Sequence, residues 1–242
     1  MVMERIDKLL VQGGAGSRRD VQKIIRDGRV QINGEICKKP ETKADENSDV
    51  ITVDGQAVNC EKYIYIMMNK PAGVVSATVD NRDKTVIDIL PREMKRSGLF
   101  PAGRLDKDTE GLLIITNDGD FAHRMLSPKK HVDKTYVAEL DKPITEETVK
   151  RFKDGIIFAD GTKCLPAKLE IGESVDNKIG IVTICEGKFH QVKKMFEACG
   201  IKVVHLKRIS IGQLSLGSNL PIGSCKLMTN LDKKSVFIGN IH

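Results

Sequence analysis

The feature that most constrains this chain is the run Leu112-Leu113-Ile114-Ile115-Thr116. It is unbroken and apolar up to its last residue, and turn residues close it at both ends. A short apolar run with such borders reads as a buried strand. The acidic stretch just before it imitates a calcium loop, with Asp106, Asp108 and Glu110 at alternate positions ahead of Gly111. An EF-hand also needs a bidentate Glu at its twelfth position and a helix on either side. Counted from Asp106 that position is Asn117, and a strand follows where a helix should. The acids therefore serve some other purpose.

With 242 residues the chain can hold one large domain, or a medium and a small one. Hydrophobic residues at 40% and charged residues at 30% place it in the soluble globular class. The start, MVMERIDKLL, brings charges at Glu4, Arg5, Asp7 and Lys8 before an apolar signal region could form. Apolar runs such as residues 63–68 are far too short to cross a membrane. The expectation is a cytoplasmic protein without membrane association. The cysteines Cys37, Cys60, Cys164, Cys185, Cys199 and Cys225 include no pair at CxxC spacing, and the histidines are equally dispersed. No metal site is expected, and most of the cysteines read as small buried apolar residues.

Charge is segregated near the start. Residues 1–39 hold nine Lys/Arg against five Asp/Glu, whereas residues 40–60 hold one against five. Within the basic segment, Ile6, Leu9 and Leu10 mark a short helix that stops before Gly13-Gly14. A second helix begins at Ser17, with Asp20 in a capping-box position and Val21, Ile24 and Ile25 on one face. Arg18, Arg19, Gln22, Lys23 and Arg26 project into a separate arc of roughly 140°. Gly28 closes this helix and Arg29 continues the positive surface. Alternating Val30 and Ile32 then lead into a hairpin at Asn33-Gly34, and residues 51–53 precede another turn at Asp54-Gly55. Such a face suits either ordinary solvation or a ladder of phosphates.

The string ERIDKLLVQGGAGSRRDVQKIIRDGRVQINGEI resembles the S4 RNA-binding domain, a small module of two helices and a hairpin. That resemblance makes Arg18, Arg19, Lys23, Arg26 and Arg29 candidate contacts to an RNA backbone. It implies an S4-like domain over residues 1–60 and leaves residues 61–242 as the larger segment.

In that segment strands alternate irregularly with helices. Strands are expected at residues 63–68, 112–116, 132–140, 179–185 and 203–211, and helices at 121–126, 145–153 and 190–199. A further short helix is expected at 85–90, ahead of Pro91. The pattern predicts an α+β domain with a mixed, largely antiparallel sheet flanked by helices. No GxGxxG or GxxxxGK[ST] string follows a strand, which argues against dinucleotide and P-loop chemistry.

Three stretches could carry chemistry: the acidic loop, Lys134-Thr135-Tyr136, and CEGKFHQVKKMFEACG ending at Gly200. The last places His190, Lys193 and Lys194 away from Val192, Met195 and Phe196, which alone describes any surface helix. Together with GRLDKDTEGLLIITNDGDF, MNKPAGVVSA and KVVHLKRISIG, these stretches resemble the pseudouridine synthases, specifically the RsuA/RluB-type branch with an N-terminal S4 domain. HQVKKMFEACG is similar to the small-subunit rRNA enzymes, whereas large-subunit members more often carry text such as NRQVRR.

The resemblance implies that Asp106 is the catalytic aspartate and that Arg104 helps hold the substrate. It implies that Tyr136 stacks on the target base, that Lys193 pairs with the aspartate, and that Leu206 walls the base pocket. Many relatives have arginine in place of Lys193, and a lysine offers a point charge without a bidentate fork. Asp108 and Glu110 are expected to order the loop through backbone N–H groups. The implied reaction isomerises uridine to pseudouridine with no cofactor, on small-subunit ribosomal RNA or an assembling small subunit, by a monomer. Large-subunit RNA, or a noncatalytic role in RNA binding or ribosome assembly, remain alternatives at this point.

Overall fold

A computed structural model describes residues 3–46, 48–127 and 132–238. The chain forms two compact units, Met1–Ile64 with Pro91–Leu99, and Tyr65–Leu90 with Phe100–His242.

The first unit contains β1 (Met3–Arg5), α1 (Ile6–Gln12), α2 (Arg18–Arg26), β2 (Val30–Ile32), β3 (Glu35–Cys37), β4 (Lys43–Asp45), β5 (Ile51–Val53) and β6 (Gln56–Ala57). Helix α2 starts with a full capping box. Ser17 Oγ accepts from the Asp20 amide at 3.3 Å, and the Asp20 carboxylate accepts from the Ser17 amide at 3.1 Å. One face of α2 buries Val21 and Ile25 against Ile6, Leu9, Leu10 and Val30. Each such side chain contributes about 2 kcal/mol of burial. Strands β3, β2, β5 and β6 form an antiparallel sheet in that order. Its hairpin turns, Asn33-Gly34 and Asp54-Gly55, hold φ values of 52°, 87°, 51° and 78°. Positive φ at both central residues is what a tight type I′ turn demands, and Asn-Gly and Asp-Gly supply it.

The larger unit contains β7 (Tyr65–Lys70), β8 (Phe100–Ala102), β9 (Glu110–Thr116), α3 (Gly119–Leu126), β10 (Lys134–Leu140), α4 (Glu146–Asp154), β11 (Lys168–Ile171), β12 (Ile179–Ile184), α5 (Gln191–Ala198), β13 (Val203–Ile211), β14 (Leu214–Ser215), β15 (Cys225–Leu227) and α6 (Asn230–Ser235). The main path of its nine-stranded sheet runs β11-β12-β10-β13-β9-β7-β15, with β14 on β13 and β8 on β9. Among the described strands of this sheet the pairing of β13 with β9 is parallel and the others antiparallel, so the sheet is mixed and largely antiparallel within an α+β fold. Strand β9 lies inside the sheet, and Leu112, Leu113, Ile114 and Ile115 are all fully buried. Leu112 and Ile114 pack with Met67 and with Phe121, Ala122 and Met125 of α3. Leu113 and Ile115 point to the opposite face, as strand geometry requires. Toward the other end of the sheet, Phe196 of α5 closes on Gly180 of β12 and packs at a tilt against Phe152 of α4, with ring centroids 4.9 Å apart.

The helix expected at residues 85–90 is absent. Asp88 accepts from the Thr85 amide and hydroxyl at 2.8 and 2.9 Å, and this local bonding closes a turn instead.

Candidate active site

Asp106 occupies the turn between β8 and β9, and that turn is fastened from inside by Lys70 at the end of β7. Lys70 is completely buried. Its ammonium donates to the carbonyls of Pro71 at 3.0 Å, Asp106 at 3.0 Å, Lys107 at 3.3 Å and Thr109 at 2.8 Å. Burial pushes the Lys70 ammonium down to about 8, while Asp108, Asp106 and Glu110 pull the other way. Ser76 Oγ clasps Leu105 twice, donating to its carbonyl at 2.8 Å and accepting from its amide at 3.0 Å. The Gly73 amide adds a bond to the Lys107 carbonyl at 2.7 Å.

Gly111 is what lets the turn meet the sheet. Its φ is +102°, and a Cβ there would lie 2.2 Å from the Arg208 carbonyl oxygen of β13. Only glycine tolerates both the backbone angle and the approach. The neighbouring Glu110 does not bond the turn as expected, because its carboxylate lies 3.1 Å from His205 Nε2 on β13.

The carboxylate of Asp106 faces two bases at the start of α5. Lys193 Nζ lies 3.2 Å from Oδ2, and His190 Nε2 lies 3.4 Å from Oδ1. Lys193 also donates to Asp108 at 2.6 Å, so the Asp108 carboxylate is held by this ammonium in addition to a backbone bond within its own residue. Burial works to lower the Lys193 value, but its bonds to Asp108 and Asp106 outweigh that and hold it above the ordinary range. Lys193 in turn holds the Asp108 carboxyl below its usual range. His190 has a left-handed backbone, φ 53°, and its ring stacks on exposed Phe189 at 3.8 Å. The segment leading to it is anchored by Gln191, whose amide donates to Glu186 at 2.7 Å and accepts from the Lys188 amide at 2.8 Å.

Asp106 opens onto a cavity of about 770 Å³. Arg104 and Asp106 line it on the turn side, and Lys134, Tyr136, Leu206 and Arg208 line it on the sheet side. Tyr136 and Leu206 are 7% and 5% exposed, whereas Arg104 is exposed. The structure thus gathers Arg104, Asp106, Tyr136 and Leu206 around one cavity, with Lys193 bonded to the carboxylate. Such a site presents a carboxylate and a paired cation to a flat, partly dry slot.

Sequence reasoning assigned no role to several residues of this site. Lys70 and Arg208 lie within the quoted motifs but carry no spacing signal of their own, and His190 was placed on the polar face of its helix without a task. Lys134 does carry one, since it alternates with Tyr136, Ala138 and Leu140 on the buried face of β10. Among the described residues no group of three or more His, Cys, Asp or Glu could hold a metal ion. No helix there is long and apolar enough to cross a membrane.

The basic face of the smaller unit lies on α2 and the turn after it. Arg18, Arg19, Lys23, Arg26 and Arg29 are all exposed. Arg29 pairs with Asp54, and Arg18 reaches within 3.9 Å of Asp7, a buried carboxylate bonded chiefly to Arg5. Arg19, Lys23 and Arg26 have no ion pair among the described residues.

Residues 64–198 match the family described as RNA pseudouridylate synthase, and residues 4–50 match the S4 domain. YtzG of Bacillus subtilis, an uncharacterized RNA pseudouridine synthase, is 47% identical over 93% of this chain and 95% of its own. Ribosomal large subunit pseudouridine synthase B of the same organism is 37% identical, covering 88% of each chain. Ribosomal small subunit pseudouridine synthase A of Vibrio parahaemolyticus is 39% identical over 96% of this chain and 99% of its own.

Proposed function

The chain belongs to the RNA pseudouridylate synthase family, in the branch that joins an S4 domain to the catalytic fold, and we propose that it isomerises one uridine of small-subunit ribosomal RNA. In this reading residues 1–60 bind RNA and residues 61–242 carry the reaction. The observation that carries it is the Asp106 carboxylate, set at the mouth of the cavity with Lys193 at 3.2 Å and His190 at 3.4 Å.

The reaction breaks the N1 glycosidic bond, turns the uracil and rejoins it through C5. Asp106 serves either as the nucleophile at C1′ or as the base that takes the C2′ proton, and both routes need it ionised. Lys193 and the turn hold its carboxylate in place. Tyr136 offers a flat surface against which the base can turn, Leu206 bounds the slot, and Arg104 holds the RNA strand at the entrance. The target uridine leaves its stack to enter, which favours a single-stranded or remodelled segment. Arg18, Arg19, Lys23, Arg26 and Arg29 hold flanking phosphates. The chemistry involves no net redox change and calls for no cofactor. The enzyme acts as a cytoplasmic monomer on the rRNA or on an assembling small subunit.

The choice of small-subunit RNA is supported by the helix text HQVKKMFEACG and by relatives of that name which align along nearly all of the chain. A large-subunit relative of similar identity supports a second reading, in which the target lies in large-subunit RNA. Mapping pseudouridines in rRNA from a deletion strain, complemented with wild type or with Asp106→Asn, tests both. A small-subunit site restored by wild type alone is expected. A missing site in the large subunit would install the second reading, and identical maps would overturn both.

A further inference from the structure

Two cations in the cavity wall are buried with no carboxylate at ion-pair distance among the described residues. Lys134 and Arg208 are 6% and 3% exposed, and neither forms an ion pair among the described residues. Lys134 Nζ donates to one acceptor among the described residues, the Val132 carbonyl, at 2.7 Å. Arg208 Nε donates to the Leu112 carbonyl at 2.7 Å, its Nη1 lies 3.4 Å from the Tyr136 hydroxyl, and its Nη2 has no partner. Sheet register brings the two together. Tyr136 of β10 faces Arg208 of β13, and Lys134 lies two residues from Tyr136 on the same face. All three line the cavity.

Burying like charges side by side without counter-charge is unfavourable unless something negative arrives. Burial, and after it Arg208, bring the Lys134 value down to about 8 against a weaker opposing pull from Cys185 and Asp133. Around these cations the wall is Tyr136, Leu206 and Ile184, a surface suited to a base and not to a hydrated phosphate.

We propose that Lys134, backed by Arg208 beneath Tyr136, takes up the negative charge that uracil acquires when it leaves the ribose. This rests on the pseudouridine synthase reading. As the N1–C1′ bond breaks, its electron pair stays on uracil and spreads to O2 and O4. C1′ is satisfied by an Asp106 oxygen or by the C2′ electrons released as Asp106 takes the proton. After the ring turns, the anion's electrons form the C5–C1′ bond as the Asp106–C1′ bond breaks or as C2′ takes its proton back from Asp106; C5 then loses its proton and N1 gains one. An ammonium is a point charge with no fixed fork, so it serves the anion at each angle of that turn. Lys193 performs a different task, since it contacts the carboxylate and not the sheet side of the cavity.

The test compares single-turnover rates on two RNAs that differ only at the target, uridine or 5-fluorouridine, read as loss of the starting nucleoside. Fluorine already stabilises the departing base, so that substrate needs the cation less. Lys134→Met is expected to slow the uridine reaction about a hundredfold. It should slow the fluorinated one at least tenfold less, with RNA affinity unchanged, while Lys134→Arg retains most of the rate. The ratio of the two rates is independent of how much protein has folded, and Lys134→Gln supplies it again if the methionine variant is insoluble. Equal losses on both substrates would overturn the proposal, since a purely structural lysine, or one that only keeps Asp106 ionised, slows both alike. Undiminished rates would overturn it as well. A wild-type enzyme that forms no pseudouridine would defeat the parent reading instead, so the two failures are distinct.

Discussion

The positive charges of α2 and those of the large sheet are the same residue types put to opposite uses. Arg19, Lys23 and Arg26 stand in water, where each is screened by salt and can release a counterion when it meets a phosphate. Lys70, Lys134 and Arg208 are shut away, where a charge is little screened and costly to leave uncompensated. The exposed set suits holding a long polyanion of any sequence. The buried set suits fixing one turn and one transition state. Access to water therefore separates affinity from rate, and mutations in the two regions should fall on different measurements.

Asp106→Asn should produce the largest effect, a loss of at least about a thousandfold in single-turnover rate with RNA affinity intact. A parallel fall in affinity would blur the division between the regions. Gly111→Ala should lower unfolding stability by about 3 kcal/mol, because its methyl group must displace β13 backbone. Thermal or urea denaturation reads this directly. Lys193→Met should reduce the rate about a hundredfold by removing the ammonium that holds the Asp106 carboxylate in place, while Lys193→Arg keeps most of it. An unchanged rate in Lys193→Met would remove the pairing from the mechanism. Arg18→Ala with Arg19→Ala should weaken RNA binding about tenfold and flatten the logarithmic salt slope by about two, leaving the bound-state rate alone. The smallest effect concerns pH and stability. Lys134 releases its proton near 8 when folded and near 10.5 when unfolded, so the unfolded chain holds more protons between those values. Stability should gain from this residue as pH rises through that window, and the gain should vanish in Lys134→Met.

Legibility in the sequence followed the range of the forces involved. The cap at Ser17, the turns at Asn33-Gly34 and Asp54-Gly55, and the buried run of β9 are decided within a few residues, and each was readable. Strands β1, β4, β14 and β15 are two or three residues long and exist through pairing with partners elsewhere, so nothing local announces them. The turn at residues 85–90 shows the same principle in reverse, since a Thr–Asp bond three residues apart defeats helix propensity. In the site, Asp106 and Tyr136 came from motif resemblance, because nothing in their spacing brings positions thirty residues apart to one cavity. The role of Lys70 depends on four carbonyls, which no side-chain pattern records.

That last arrangement has a bearing on how the enzyme is made ready. A turn whose acids imitate a calcium loop is organised from its carbonyl side by an ammonium belonging to the chain itself. The organising ion is tethered by four methylenes, so it arrives with the polypeptide, needs no loading step and cannot be leached by a chelator. The aim of the Asp106 carboxylate is thus inherited from translation, whatever the ionic makeup of the surroundings.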